Sequence, residues 1–453
     1  MAGVSEALEP RMNRITALCA VDQVQSKRGA GFDSEHTCTE PGPRGGAGRR
    51  PQSGPLGNSQ LVLPRSKTVE SSRRSERWFL RGIMQEITGI NRLKHCGRKP
   101  IANGVSLRMS QVDGGGHRAG YAGLETCGSV WACPVCAAKI THERQEELAQ
   151  VIRKALDEGL HVSMLTLTQR HHRGQTLSDL WESLSYAWGR VTSGRKWVQF
   201  KEQLGLRGYA RAVEVTYGEN GWHAHVHAVM ITERRPEVTP LFFQRKQGRR
   251  KLPYPVEMRM PADFVADTWE KALAKKGIGF LRNRGGMDWQ TAKPSEALGL
   301  ASYVGKMNAV VATDSAGQVA SEATLGQFKR AKGSNMTPFQ MLGDIALIGD
   351  ADLVDLWREY ERVSKGKRAL TWSRGLRAWA GLGQERTDEE IAEDQAGDDT
   401  VFTVNNSAWG MVRPYASFIL DLAEQEGADK VFEWLDERDV PYWVPGEEDS
   451  RDL

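Results

Sequence analysis

The stretch Gly221-Trp-His-Ala-His-Val-His-Ala-Val-Met230 decides how this chain is read. It alternates strictly, and strand side chains point to opposite faces in turn. His223, His225 and His227 therefore share one face of a strand, Trp222 to Thr232, while Ala224, Val226 and Ala228 share the other. Three imidazoles stacked on a core face would leave ring nitrogens unpaired at a cost, whereas a row of metal ligands has a use for them. The preceding segment, Ala210 to Tyr217, is a second strand, and Gly218-Glu-Asn-Gly221 supplies a hairpin turn between the two. Ala212, Glu214 and Thr216 lie on one of its faces and Val213, Val215 and Tyr217 on the other. If Gly218 to Gly221 is the loop, Glu214 falls opposite His225; if the turn is Asn220-Gly221, it falls opposite His227. Both registers put the carboxylate among the imidazoles, and a turn one residue longer or shorter would rotate it away. Sequence thus predicts a carboxylate, Glu214, and two of the three histidines around one cation.

Working outward, Val162 to Thr168 reads as a strand, Ala137 to Leu156 and Leu177 to Val191 as helices. Pro261 to Lys275 and Pro294 to Met307 are helices opened by a proline suited to the first turn. Interleaved strands and helices with at least one hairpin predict an α+β fold: an antiparallel sheet with helices packed on it. In the last of these helices Ala297, Leu300, Ala301 and Val304 form an apolar stripe, and Tyr303 and Lys306 are surface neighbours on another face. A phenol beside an ammonium has its phenolate favoured, and the ammonium can hold a phosphate oxygen. Upstream, Cys133-Pro-Val-Cys136 is a knuckle of the kind that holds one side of a structural zinc. Cys127 and Cys96 are the other expected thiolates, with His95 the rival of Cys96. Cys19 and Cys38 are expected to bind nothing.

The chain has 453 residues, of which 40% are hydrophobic and 26% charged, so most of it should be globular. No run approaches the roughly 18 apolar residues of a membrane span. The start lacks a basic-then-apolar secretory pattern, and a cytoplasmic, bacterial location is expected. The net charge of +4 conceals an asymmetry: after Gly381 about 20 acidic residues face about 5 basic ones, leaving a body near +19. A basic body suggests a polyanionic partner. Arg245-Lys-Gln-Gly-Arg-Arg-Lys251 concentrates Arg245, Lys246, Arg249, Arg250 and Lys251 in a loop or hairpin expected over the site as a DNA contact, flanked by Phe242, Phe243 and Tyr254 for base stacking. The expected organisation is a disordered basic arm over 1–75 and a cysteine-rich zinc segment over 76–158. A catalytic domain over 159–318, a helical accessory region over 319–380 and an acidic region over 381–453 follow.

The ordered set Leu165-Thr-Leu-Thr168, His225-Val-His227 and Tyr303-x-x-Lys306 resembles the three motifs of HUH endonucleases. Together with Trp222-His-Ala-His-Val-His227 and the Cys127 to Lys139 stretch, it is similar to rolling-circle plasmid replication initiator (Rep) proteins of actinobacteria. The resemblance covers roughly Cys96 to Asn308 and implies an HUH endonuclease-like fold and a metal-dependent enzyme that nicks one DNA strand at a plasmid origin. By that resemblance Tyr303 is the nucleophile, and His225, His227 and Glu214 bind magnesium or manganese. Lys306 positions the phosphate or the tyrosine, and rejoining completes the cycle. The implied partners are plasmid origin DNA, as duplex and exposed single strand, with host helicase and polymerase. Two alternatives share part of this reading: a conjugative relaxase or transposase with the same chemistry, and a zinc-containing DNA-binding regulator without catalysis. Gly299 stands where some relatives carry a glutamate one turn before the tyrosine; Glu296 lies one turn further back.

Overall fold

The computed structural model describes residues 67–112, 116–243, 246–247, 250–251, 257–306, 335–393, 397 and 399–445. In chain order its elements begin with α1 (Lys67–Ile87), α2 (Asn91–His95), β1 (Gly104–Val112), β2 (Gly116–Ala122), α3 (Pro134–Asp157) and β3 (His161–Leu167). Next come α4 (Leu177–Val191), α5 (Gly194–Leu204), β4 (Leu206–Gly218), β5 (Gly221–Thr232), β6 (Leu241–Phe243), β7 (Lys246–Gln247), β8 (Arg250–Lys251) and β9 (Glu257–Arg259). They continue with α6 (Pro261–Ala274), β10 (Met287–Thr291), α7 (Pro294–Lys306), α8 (Pro338–Ile348), α9 (Ala351–Ser364) and β11 (Leu370–Trp372). The last are α10 (Leu376–Trp379), α11 (Asp388–Glu393), β12 (Asp399–Asn405), α12 (Asn406–Val412), α13 (Ala416–Glu426) and α14 (Ala428–Asp436). The fold is α+β with antiparallel sheets and helices packed on them, as the alternation of patterns implied.

The principal sheet runs β10-β3-β5-β4-β11, antiparallel throughout. On one face Leu165, Leu167, Val213, Val215, Ala224, Val226 and Ala228 bury against α4, α5, α6, α8 and α9. On the other, Val162, Ala210, Ala212, Val229 and Ile231 bury against Leu148, Val151, Ile152 and Ala155 of α3 and Ala297 of α7. That second face changes character along its length: it is apolar under α3 and α7, and further along β5 the same alternation delivers His227, His225 and His223.

Sequence periodicity did not foresee two connections. The accessory region contributes a strand as well as helices: β11 lies at the edge of the principal sheet beside β4. The acidic region contributes β12, which pairs with β1 in a second sheet of order β12-β1-β2. That sheet has its own core of Val105, Leu107, Phe402, Val404, Trp409, Ile419, Val431 and Leu435. Helix α1 begins at Lys67, inside the stretch 1–75 expected to be a disordered arm. Much of the acidic charge after Gly381 is answered within the chain. Arg74 of α1 is bonded to Asp421 and Glu424 at 2.5 and 2.8 Å, and Arg144 of α3 lies 3.3 Å from Asp388.

The hairpin turn comprises Glu219 and Asn220, with Gly218 paired to Gly221. Gly221 has φ +83°, where a side chain is strained, and a Cβ there would sit 2.9 Å from the Arg173 Cα and 3.3 Å from the His172 carbonyl oxygen. Gly221→Ala is expected to cost about 1–3 kcal/mol. Denaturant unfolding of the variant checks this, and an unchanged midpoint would contradict the packing described.

Candidate metal centres

The β4–β5 register is the first of the two that the sequence permitted: Tyr217 pairs with Trp222 and Glu214 with His225. His227 lies between Ala212 on β4 and Thr166 on β3. Trp222 anchors the hairpin by donating its indole N–H to Glu359 of α9 at 2.9 Å. With the strands so fixed, the Glu214 Oε2 lies 2.8 Å from the His225 Nε2 and 3.2 Å from the His227 Nε2. Both histidines are buried and Glu214 is half-buried. Burial alone would raise the Glu214 carboxyl, but the hydrogen bonds and positive charge of His225 and His227 overcome it and hold the group at about 2. For His227 burial dominates and keeps the imidazole below its usual range, against the pull of Glu214. The site therefore favours a carboxylate facing a neutral imidazole, the protonation a cation requires.

The donor set fits a divalent ion. Glu214, His225 and His227 each offer one ligand atom, all within 4.8 Å of one another. Thr166 Oγ1 is hydrogen-bonded to His227 Nδ1 at 2.9 Å. If that ring nitrogen carries the proton, the Nε2 lone pair is left for the metal, the usual arrangement behind a ligating histidine. The Nδ1 of His225, by contrast, is buried with no partner. Two imidazoles and one carboxylate suit manganese or another transition ion better than magnesium, which prefers oxygen.

Two neighbours escaped the sequence reading. Thr166 was visible only as part of a quoted motif, although alternation along β3 puts it on the histidine face. His171, in the loop after β3, stacks on His223 at 4.7 Å, and His223 stacks on His225 at 4.6 Å, so the row has four imidazoles. No strand periodicity reaches into a loop, which is why His171 was missed. Burial and then the charges of His225 and His171 push His223 down to about 4.

Helix α7 packs on α3 and β3 through Ala297 and Leu300, on the histidine-bearing face of the sheet. Tyr303 and Lys306 are in its last two turns; their side chains lie outside the described residues. Glu296 is 3.5 Å from Lys293. Of the basic hairpin, Lys246, Gln247, Arg250 and Lys251 form β7 and β8, while Arg245 and Arg249 lie outside the described residues. Its base does not lie over the histidines as expected. Strands β6 and β9 rest on α5, where Gln203 bonds the Phe242 backbone, and Phe243 stacks on Phe264 on the opposite face of the sheet.

The four predicted cysteines meet in a second centre. Cys96 Sγ is 3.7 Å from Cys133 Sγ and 3.6 Å from Cys136 Sγ, and Cys127 Sγ is 3.6 Å from Cys136 Sγ. A tetrahedral zinc with bonds of about 2.3 Å spaces its sulfurs roughly 3.75 Å apart. All four are buried and none is in a disulfide. Hydrogen bonds from the other three thiols, and the charge of Arg81, favour a thiolate at Cys96. The neighbouring sulfurs and burial push the Cys127 thiol up, and burial above all pushes the Cys133 thiol up. One thiolate is welcome there and four are not, unless a dication shares them. His95 is half-exposed, 3.6 Å from Glu125, and does not join the tetrad. Cys19 and Cys38 lie outside the described residues.

The family described as "Replication protein" matches residues 122–245, a span that holds three of the four cysteines and the whole Glu214–His225–His227 centre. Over that span the chain resembles this family. It is 28% identical over 364 residues to "Protein rep" of Streptomyces lividans, covering 68% of this chain and 76% of that protein. It is also 31% identical over 140 residues to a "Neomycin resistance protein" of Streptomyces cyanogenus, covering 25% of this chain and 32% of that one. No solved structure matches. None of the described helices is long and apolar enough to cross a membrane.

Two predictions follow from the centres. Metal analysis of the purified protein should find about one zinc per chain that resists mild chelation. Cys133→Ser should lose it together with several degrees of melting temperature; a metal-free wild-type protein that melts normally would remove the zinc assignment. His223 has a depressed folded-state pKa, so the folded state binds fewer protons than the unfolded chain and stability present above about pH 6.5 drains as pH falls toward 4. His223→Asn should flatten that window of the stability profile, measured by denaturant unfolding without added divalent metal.

Proposed function

We propose that this protein initiates rolling-circle replication by cutting one strand of origin DNA through Tyr303 and later rejoining it. The observation that carries the reading is the convergence of Glu214, His225 and His227 on one sheet face, with the tyrosine-bearing helix α7 packed on that same face. The ordered motifs and the family match support it. When bound, a divalent ion held by Glu214, His225 and His227 would polarise the scissile phosphate and stabilise its developing charge.

The chain's own residues account for the rest. The phenol oxygen of Tyr303, once its proton is lost, attacks phosphorus. The bond from phosphorus to the 3′ oxygen breaks, and that oxygen takes up a proton as the primer terminus. The 5′ end stays on the tyrosine as a phosphodiester of similar energy, so attack by a 3′ hydroxyl in the reverse sense rejoins DNA without a nucleotide cofactor. Lys306, one turn along the helix, favours the phenolate and holds a phosphate oxygen. Thr166 is a positioning residue that keeps the His227 ring turned toward the carboxylate. The primer end is extended by a host polymerase behind a host helicase.

Supercoiled plasmid carrying the cognate origin, incubated with manganese or magnesium, tests the reading. Tyr303→Phe should abolish nicking and the covalent protein–DNA adduct. His227→Ala should reduce nicking at least a hundredfold while duplex binding changes little. Manganese should support the reaction at lower concentration than magnesium. Undiminished nicking by Tyr303→Phe would sink the proposal.

A further inference from the structure

A buried arginine without a hydrogen-bonding or carboxylate partner among the described residues lies beside the cysteine tetrad. Arg81 of α1 is only 6% exposed, and its side chain forms no hydrogen bond or ion pair among the described residues. Burying an unpaired charge is costly, and proteins normally answer it with a carboxylate. Here no carboxylate does so among the described residues: Cys96 of the tetrad feels its charge, and its other charged neighbours are positive. The Arg81 guanidinium lies against Gly97, where it fills the space a side chain would need, and Arg98 is the next residue. Arg413, at the end of α12, lies in the field of both: burial and then the charges of Arg98 and Arg81 hold it below the usual arginine range. Among the described residues one carboxylate answers the group, Glu86, bonded to Arg98 at 3.1 Å.

The arrangement is held by rigid parts. The Arg81 guanidinium is 3.9 Å above the Trp78 ring, Trp78 packs edge-on against Tyr121 at 6.2 Å, and Tyr121 against Trp409 at 5.1 Å. Trp409 donates its indole N–H to the Arg98 carbonyl oxygen at 3.1 Å. Gln85 donates to the Cys96 carbonyl oxygen at 2.6 Å, so the turn bearing Arg98 is tied to the cysteine tetrad on its other side. Orientation is thus fixed before any ligand arrives, which is what selective anion binding needs.

We infer that Arg81, Arg98 and Arg413 form a binding site for a backbone phosphate of duplex DNA, built on α1, the turn after α2 and the end of α12. A planar guanidinium whose donors lack acceptors matches a phosphate's oxygens, and a basic body near +19 makes DNA the polyanion at hand. The inference deepens the proposed function by adding a grip on DNA outside the cleavage centre, yet it stands or falls by binding and not by cleavage. It also gives the zinc segment a job, since the tetrad secures the turn on which Arg98 stands.

The test uses the full chain without added magnesium or manganese, so strand cleavage does not enter. Binding of a fluorescent duplex of arbitrary sequence is followed by anisotropy across a range of KCl, and thermal unfolding is followed with and without inorganic phosphate. Arg413→Gln, at an exposed position, should lower the slope of log affinity against log salt by about 1 and weaken binding roughly tenfold at low salt. Arg81→Met should raise the melting temperature in the absence of anion, abolish stabilisation by phosphate, and weaken duplex binding. A purely structural arginine would do the reverse: melting would fall and duplex binding would not change, which overturns the inference. Phosphate protection lost in both variants with an unchanged salt slope would mark a small-anion site and overturn the DNA assignment. Failure of Tyr303-dependent nicking would leave these binding results intact, so the two readings fail separately.

Discussion

One carboxylate shared by two imidazoles across a strand pair holds the architecture to its purpose. Glu214 can meet both His225 and His227 only if β4 and β5 keep a single register, and that register rests on a two-residue turn closed by a glycine with positive φ. A slip of one residue would exchange the polar and apolar faces of both strands at once. Register here is therefore enforced twice over. The opposite face carries Val213, Val215, Ala224, Val226 and Ala228 into the main core, so the interior that stabilises the sheet also dictates which residues meet on its far side.

The sheet's second face is divided along its length, and this division creates a site. Under α3 and α7 the outward positions of β3, β4 and β5 are Val162, Ala212, Val229 and Ile231. Beyond the helices they become Thr166, Glu214, His225 and His227. A polar row bordered by a packed apolar floor is shielded from water on one side only. Its electrostatics are accordingly strong: Glu214 is held ionised well into acid, and His223 is kept neutral by burial and like charges.

Much of this was legible in the residues because period-two alternation is a local property. The β4–β5 hairpin, the shared face of Glu214 with the histidines and the helices α3, α4, α6 and α7 needed no partner to be recognised. What could not be read has a common cause. Strand β11 is three residues long, too short to show a period, and is ordered by the edge of β4. Strand β12 sits in an acidic stretch whose charge suggested a tail, yet Phe402 and Val404 bury completely against β1. His171 reaches the imidazole row from a loop, and Arg81 is an unremarkable letter in an amphipathic helix until the turn at Gly97 and the end of α12 close around it. Long-range contacts leave no mark on local pattern.

The pairing of β1 with β12 has a temporal side. Gly104 meets Asn405, so the smaller sheet joins segments about 300 residues apart. At ribosomal rates of roughly 5–20 residues per second, some 15–60 s separate the emergence of the two. Through that interval β1 has β2 beside it but nothing on its other edge, and Val105 and Leu107 lack the helices that later cover them. The nascent chain thus carries an open strand edge while its larger sheet takes shape, and a product released early would keep that edge permanently unsatisfied.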